Sequence, residues 1–250
     1  MRMDSINNAA QDVVVNHPYQ SGRPLLTVSP NAYSKLTISQ LRGLHGMYHA
    51  NISIEENFST AEQTMLDTFI ETIFNTPIMQ EATNFLTTNN ITFKYEDFKI
   101  IWFQHFSRNG PDGKNGSSGF EHVFMGELRD GCPVLGFHNW LYFAEEENAL
   151  PSRIQYVRTN THTVLNPMSG SVIQNSFRWN KLGAWINKNV ASSFIGTSPE
   201  LEFALYTVCF YARPNGLCPV NFYENRFNLR TFEIRRGTQT FVATAHPVLS

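Results

Sequence analysis

Residues 117–143, SSGFEHVFMGELRDGCPVLGFHNWLYF, constrain this chain more than any other stretch. Two histidines, His122 and His138, lie on short apolar-rich segments joined by a turn, so any fold must hold both imidazoles among packed neighbours. In EHVFMGEL, Glu121, Val123, Met125 and Glu127 alternate with His122, Phe124, Gly126 and Leu128. That period of two predicts a strand whose faces differ. Arg129-Asp130-Gly131 reads as a turn. Beyond it Phe137, Trp140, Leu141 and Ala144 recur at helical spacing and run into Glu145, Glu146 and Glu147. His122 is therefore expected on a strand and His138 near a helix start.

Histidine has the unperturbed pKa closest to neutral, so a pair of them supplies one base and one acid in a single turnover. Cleavage of RNA by its own 2′-hydroxyl needs that pair: one group removes the hydroxyl proton and the other protonates the leaving 5′-oxygen. Two other readings stand beside it. A histidine on an apolar strand is commonly a hydrogen-bonded core residue. His122, Glu127 and His138 are also donors of the kind that bind a divalent ion, although their spacing matches no established metal motif.

Elsewhere the chain alternates between two kinds of pattern. Residues 1–35, rich in Asn, Ser and Pro around the apolar run Val13–Val15, read as an irregular N-terminal arm. A short helix is expected over 36–50, ending near Gly46. Ala61, Met65, Phe69, Ile70 and Ile73 keep helical spacing behind Ser59 or Thr60 as N-cap, with Pro77 as the stop. Further helices are expected around Met79–Thr87 and over Tyr95–Phe106, where His105 falls on the core-facing side. The Gly- and Asn-rich segment 107–119 reads as a flexible loop, either an ordinary surface loop or a lid over a cleft. QYVRTNTHTVLN and SVIQNSFRW read as strands. ELEFALYTVCFYAR, beginning at Glu200, alternates over many residues and is taken as a strand, although Ser198-Pro199-Glu200 would also open a helix. NLRTFEIRR and TQTFVATAH predict a C-terminal hairpin turning at Arg236-Gly237.

The chain has 250 residues, 42% of them hydrophobic, with no apolar run long enough to span a membrane. Its net charge is only −2, but residues 151–250 carry ten Lys/Arg against four acids, a local balance of +6 that leaves −8 on the first 150. A basic half of that kind suits a nucleic-acid partner. Three cysteines, Cys132, Cys209 and Cys218, are too few for a disulfide framework, and Cys209 and Cys218 are either bridged or free. The sequons at Asn51, Asn57, Asn90 and Asn115 are about as many as a chain so rich in Asn, Ser and Thr yields by chance. The N-terminal residues lack the apolar core of a signal peptide, so both a secreted and a cytoplasmic location stay open.

Three strings in order, SSGFEHVFMGEL, GFHNW and FIGTSPELEFALYTVCF, resemble the animal EndoU (XendoU-type) family of uridylate-preferring endoribonucleases, over roughly Ser53–Pro247. The histidine pattern also resembles that of the coronaviral uridylate-specific endoribonuclease domain. The resemblance implies an α+β fold over 36–250, with a mainly helical lobe (36–116) followed by a mixed or antiparallel β-rich catalytic lobe (117–250). It implies a catalytic set of His122 and His138, sixteen positions apart, with Lys188 from the string Lys188-Asn189-Val190-Ala191-Ser192. An ammonium there would stabilise charge building on the phosphoryl oxygens. The coronaviral likeness suggests His138 as base and His122 as acid. Glu121 and Glu127 fall on acidic family positions, suited to orienting an imidazole or binding an ion. Ser192, Thr244 and His246 fall on base-recognition positions. The family carries Tyr where this chain has His246, a departure that bears on uridine selectivity and pH optimum, although an imidazole can still stack on a pyrimidine.

The activity implied is cleavage of single-stranded, U-containing RNA at uridylates, leaving a 2′,3′-cyclic phosphate. The animal members also imply Mn2+ stimulation, with Ca2+ as the alternative ion, and a monomer is expected. The competing reading is an RNA-binding protein with little or no cleavage, and a third is a metal-dependent phosphoesterase that uses water.

Overall fold

The computed structural model of the protein describes residues 6–17, 23–110, 112–222 and 225–249. Within the N-terminal 35 residues, β1 (Val13–Val15) pairs antiparallel with β2 (Leu26–Val28), followed by the single turn α1 (Pro30–Tyr33). This segment is tied to the body of the protein: the Asn7 amide donates to Glu200 Oε1 at 2.8 Å, and Thr37 Oγ1 donates to the other oxygen at 2.6 Å.

Four helices follow, α2 (Leu36–Leu44), α3 (Thr60–Phe74), α4 (Pro77–Thr88) and α5 (Tyr95–Phe103). The capping signals act where the sequence placed them. Ser59 and Glu62 form a reciprocal capping box at the start of α3. Pro77 is a starter rather than a stop: α3 already ends at Phe74, and Pro77 occupies the first turn of α4 behind Thr76, whose hydroxyl accepts from the Met79 amide.

The second half holds α6 (Trp140–Asn148), then β3 (Ile154–Asn166), β4 (Gly170–Trp179) and β5 (Ile186–Ile195) as an antiparallel sheet in the order β3-β4-β5. α7 (Pro199–Ala212) crosses to a second antiparallel sheet, β6 (Leu217–Phe222), β7 (Asn225–Arg236) and β8 (Gln239–Val248). Helices with antiparallel sheets make the class α+β, as expected. The expected hairpin is β7-β8, with Gly237-Thr238 between its strands.

Residues 199–212 correct the expected strand. Ser198 caps α7 through its hydroxyl, which accepts from the Leu201 amide, with Pro199 in the first turn. Ten of the fourteen residues of α7 are buried, so it has no polar stripe to reveal a 3.6-residue period. Cys209, at its end, is disulfide-bonded to Cys218 of β6.

α7 organises the core. Phe203 stacks on Phe124 at 4.4 Å and meets Phe98, Trp102, Phe103 and Phe120 within 6.3 Å, while Trp102 Nε1 donates to Thr207 Oγ1 at 2.9 Å. Phe120 and Phe124 flank the segment that carries His122, so this aromatic cluster fixes the site from beneath.

Candidate active site

Residues Glu121–Met125 form a π-helical turn, with the Gly126 amide donating 2.8 Å to the Glu121 carbonyl five residues back, and not the expected strand. The alternation misled because all five side chains are buried, so the pattern had no solvent face to report. The returning segment pairs with it through its backbone: the Phe137 amide donates to the His122 carbonyl and the His138 amide to the Val123 carbonyl, both at 2.8 Å. His138 then lies just before α6, as expected, with Asn139 as N-cap accepting from the Leu141 and Tyr142 amides. Gly136 makes this approach possible. Its φ is +59°, and a Cβ there would lie 1.8 Å from the His122 carbonyl oxygen.

The two imidazoles are 6.5 Å apart between centroids. His122 Nδ1 is 2.7 Å from Glu127 Oε2. A carboxylate accepts, so Nδ1 carries the proton and Nε2 is left for substrate. His138 Nδ1 lies 2.9 Å from the Ser192 carbonyl, which likewise requires Nδ1–H and leaves Nε2 with its lone pair. Burial, joined by His246, Lys188 and His122, holds His138 well below its ordinary pKa, so it is neutral and fit to accept a proton. Burial and the Arg108 guanidinium lower His122 to about 4 against the pull of Glu127.

Lys188 projects from β5 into the same region, with Nζ 3.4 Å from the Val134 carbonyl, and burial lowers its pKa to about 8. Ser192, four residues further along β5 and past a bulge, is buried and accepts from the Gln174 amide at 3.3 Å. His246 on β8 stacks on His138 at 4.6 Å with 16° between ring planes. One of its faces is therefore taken, and burial, with Lys188 nearby, lowers its pKa to about 4, which removes the charge that could have attracted phosphate. Thr244 sits two residues back on the same side of β8.

Arg108 is the member that sequence reading missed. It lies in the loop 107–119, whose base is pinned by the Phe106 amide donating to the Ser117 carbonyl at 2.8 Å. Arg108 Nε is 2.9 Å from Glu127 Oε2 and 2.6 Å from Ser117 Oγ, and its Nη2 donates to the Ala243 carbonyl at 2.8 Å. The Ser117 hydroxyl donates to the other Glu127 oxygen. Burial alone would raise the Glu127 carboxyl, but Arg108 and His122 hold it below its ordinary value. The only advance signal was electrostatic: a carboxylate as buried as Glu127 requires a cation.

Glu121 faces away from this chain of contacts. Its Oε2 is 3.3 Å from His105 Nε2, so His105 supports the site from behind rather than merely filling core. Burial raises the Glu121 carboxyl, and burial together with Glu121 pushes Glu56 up to about 7.

Among the described residues no three His, Cys, Asp or Glu side chains converge to hold a metal ion, and both Glu127 oxygens are already engaged. These residues do not form a ready cage for manganese or calcium.

Removing the Glu127 charge has a calculable consequence. Glu127→Gln leaves the buried Arg108 guanidinium unpaired, at an expected cost of about 3 kcal/mol, and takes away the partner that raises the His122 pKa. Urea unfolding and imidazole NMR titration of the variant should show a lower midpoint and a still lower His122 pKa. An unchanged His122 titration would mean that Glu127 does not hold that ring.

Known proteins are similar to this chain along nearly its whole length. The family model described as endoribonuclease XendoU matches residues 4–247. A human uridylate-specific endoribonuclease is 35% identical over 240 residues, covering 91% of this chain and 55% of its own, so the chain spans about half the length of that relative. The Xenopus laevis poly(U)-specific endoribonuclease-A is 31% identical over 223 residues, covering 86% of this chain and 73% of its own. The solved structure of XendoU, titled a splicing-independent snoRNA-processing endoribonuclease, superposes with a TM-score of 0.76 at 28% identity, covering 99% of this chain and 93% of that one. With the family model spanning nearly its whole length, the chain belongs to the XendoU endoribonuclease family.

Proposed function

We propose that this protein is an endoribonuclease that cuts single-stranded RNA at uridylates by internal attack of the 2′-hydroxyl, leaving a 2′,3′-cyclic phosphate and a free 5′-hydroxyl. One observation carries the reading: His138, with Nδ1 committed to the Ser192 carbonyl, keeps Nε2 unprotonated within 6.5 Å, ring to ring, of a second held imidazole. In the proposed reaction His138 Nε2 takes the 2′-hydroxyl proton as that oxygen bonds to phosphorus. His122 Nε2–H protonates the departing 5′-oxygen as its bond to phosphorus breaks. No water is consumed, so the chemistry is that of a lyase. The RNA phosphate itself, set against His122, favours the protonated ring that this step needs. The Lys188 ammonium counters charge on the non-bridging oxygens, where exclusion of water makes it most effective.

Ser192, Thr244 and His246 form the proposed uridine pocket, with Ser192 Oγ on the base edge. All of these groups come from one chain, so the reading needs no second copy. Stimulation by Mn2+ belongs to the same reading, but the described residues form no cage for the ion and the acid–base chemistry needs only the side chains named.

The test compares a U-containing RNA with its all-2′-deoxy counterpart, with and without Mn2+, and reads the 3′ ends produced. Cleavage confined to the ribose substrate, with cyclic phosphate ends, is expected; equal cleavage of both would falsify attack by the 2′-hydroxyl. The pH profile gives a second expectation. Lys188 acts as a cation, so kcat, which reports the RNA-bound protein, should fall as pH rises past the Lys188 pKa, about 8 in the free protein. Lys188→Arg keeps the charge and should move that descending limb upward. A descending limb that stays in place in the arginine variant assigns it to another group.

A further inference from the structure

Beyond Thr244 and His246, the face of the β6-β7-β8 sheet that carries them is not used by the reaction just described. Successive residues of a strand alternate between faces. Phe227, Leu229 and Thr231 of β7 turn into the core, and so do Cys218 of β6 and Ala245 of β8. Arg226, Asn228, Arg230 and Phe232 therefore share the opposite face. Register places Arg230 directly beside His246 and Phe232 beside Thr244. Arg226 is exposed, and Asn228, Arg230 and Phe232 are half-buried.

Arg230 is not spent on the fold. Its guanidinium lies over the Phe232 ring at 5.6 Å, and its Nε is enclosed with no hydrogen-bond partner among the described residues. His246 Nδ1, next to it, is likewise enclosed and unpartnered. A buried guanidinium N–H left without an acceptor is costly unless an acceptor arrives with a ligand. Along β7, Arg226 and Arg230 are four residues apart, about 13 Å, with Asn228 midway. That repeat of two residues is comparable to the spacing of phosphates along an extended single strand. The aromatic ring beside the arginine adds a surface on which a base can stack.

We propose that this face is an RNA track that holds the nucleotides flanking the cleaved uridylate, with Arg230 and Arg226 on alternate phosphates, Asn228 at the one between, and Phe232 under a base. The proposal rests on the endoribonuclease reading for its polarity towards His246. It gives a chain of net charge −2 two arginines for a polyanion on one strand that leads from the site.

The test measures binding, so it does not depend on turnover. Fluorescence anisotropy is recorded for a trinucleotide and a dodecamer, each with one 2′-deoxyuridine to block cleavage, over a salt series. For the dodecamer, Arg226→Glu and Arg230→Gln should each weaken binding about tenfold or more, the size of one lost charged hydrogen bond. Each should also flatten the salt slope by about 0.7. For the trinucleotide, Arg226→Glu should have a much smaller effect, because a ligand of that length centred on His246 does not reach it. Arg226 is exposed, so its variant reports on contact and not on folding. Equal losses at both lengths, or no loss for the dodecamer, would overturn the track. Failure of the underlying reading is a separate outcome, in which wild-type protein leaves the all-ribose dodecamer intact.

Discussion

His138→Ala should lose cleavage by about 10²–10⁴-fold, the usual contribution of a general base, while still binding RNA. The expectation follows from how the ring is held. Its Nδ1–H is spent on the Ser192 carbonyl and one face packs on His246, so Nε2 is the position left for chemistry. Alanine removes that position without touching Lys188 or the basic strand β7. Single-turnover cleavage and anisotropy on a 2′-deoxyuridine RNA, measured on the same preparation, separate the outcomes. Cleavage within tenfold of wild type would remove His138 from the chemistry. Cleavage and binding falling together would make the ring structural. Binding that persists with no cleavage in the wild type itself would favour an RNA-binding protein.

Among the described glycines, Gly136→Ala should be the most damaging substitution. The added Cβ would lie 1.8 Å from the His122 carbonyl oxygen and 2.6 Å from its carbon, both backbone atoms that no rotamer change can move. A φ of +59° adds about 1–2 kcal/mol for any L side chain. The two segments must separate, breaking the hydrogen bonds from Phe137 and His138 that set the spacing of the imidazoles. A loss of about 3 kcal/mol or more is expected, which for a chain of this length lowers the melting midpoint by roughly 6 °C or more. Cleavage should fall by at least about 10²-fold, because displacements near 1 Å are enough for that. Thermal unfolding by circular dichroism and an initial-rate assay check both. Native melting with a near-native rate would show that the close approach is not needed.

What the sequence disclosed depended on whether a pattern had a solvent side. α3 and the β7-β8 hairpin carry polar faces and turn residues that locate them, and both form where they were expected. α7 and the π-helical turn are buried all round. Their alternation was an accident of composition, and only the Ser198-Pro199-Glu200 start signal pointed to the helix. In the site, motif matching placed His122, His138 and Lys188, which the structure brings to one region. Arg108 was unreadable because it sits in a Gly-rich loop, and its reason for being there, Glu127, becomes a buried charge only after folding. Glu56 and His105 are likewise joined to Glu121 by packing between distant segments, and no local spacing encodes that.

The backbone pairing of 122–123 with 137–138 has one more consequence. The two imidazoles are stitched together by these backbone hydrogen bonds, whereas Lys188 and Ser192 ride on β5 of the β3-β4-β5 sheet. A small outward slip of β5 would thus leave the imidazoles at their working separation. It would withdraw the ammonium and, in the same movement, release His138 Nδ1 to swap its proton to the other nitrogen. In the proposed reaction one displacement of β5 would disarm both the charge and the tautomer, and a small molecule wedged behind β5 would be expected to block cleavage without competing with RNA.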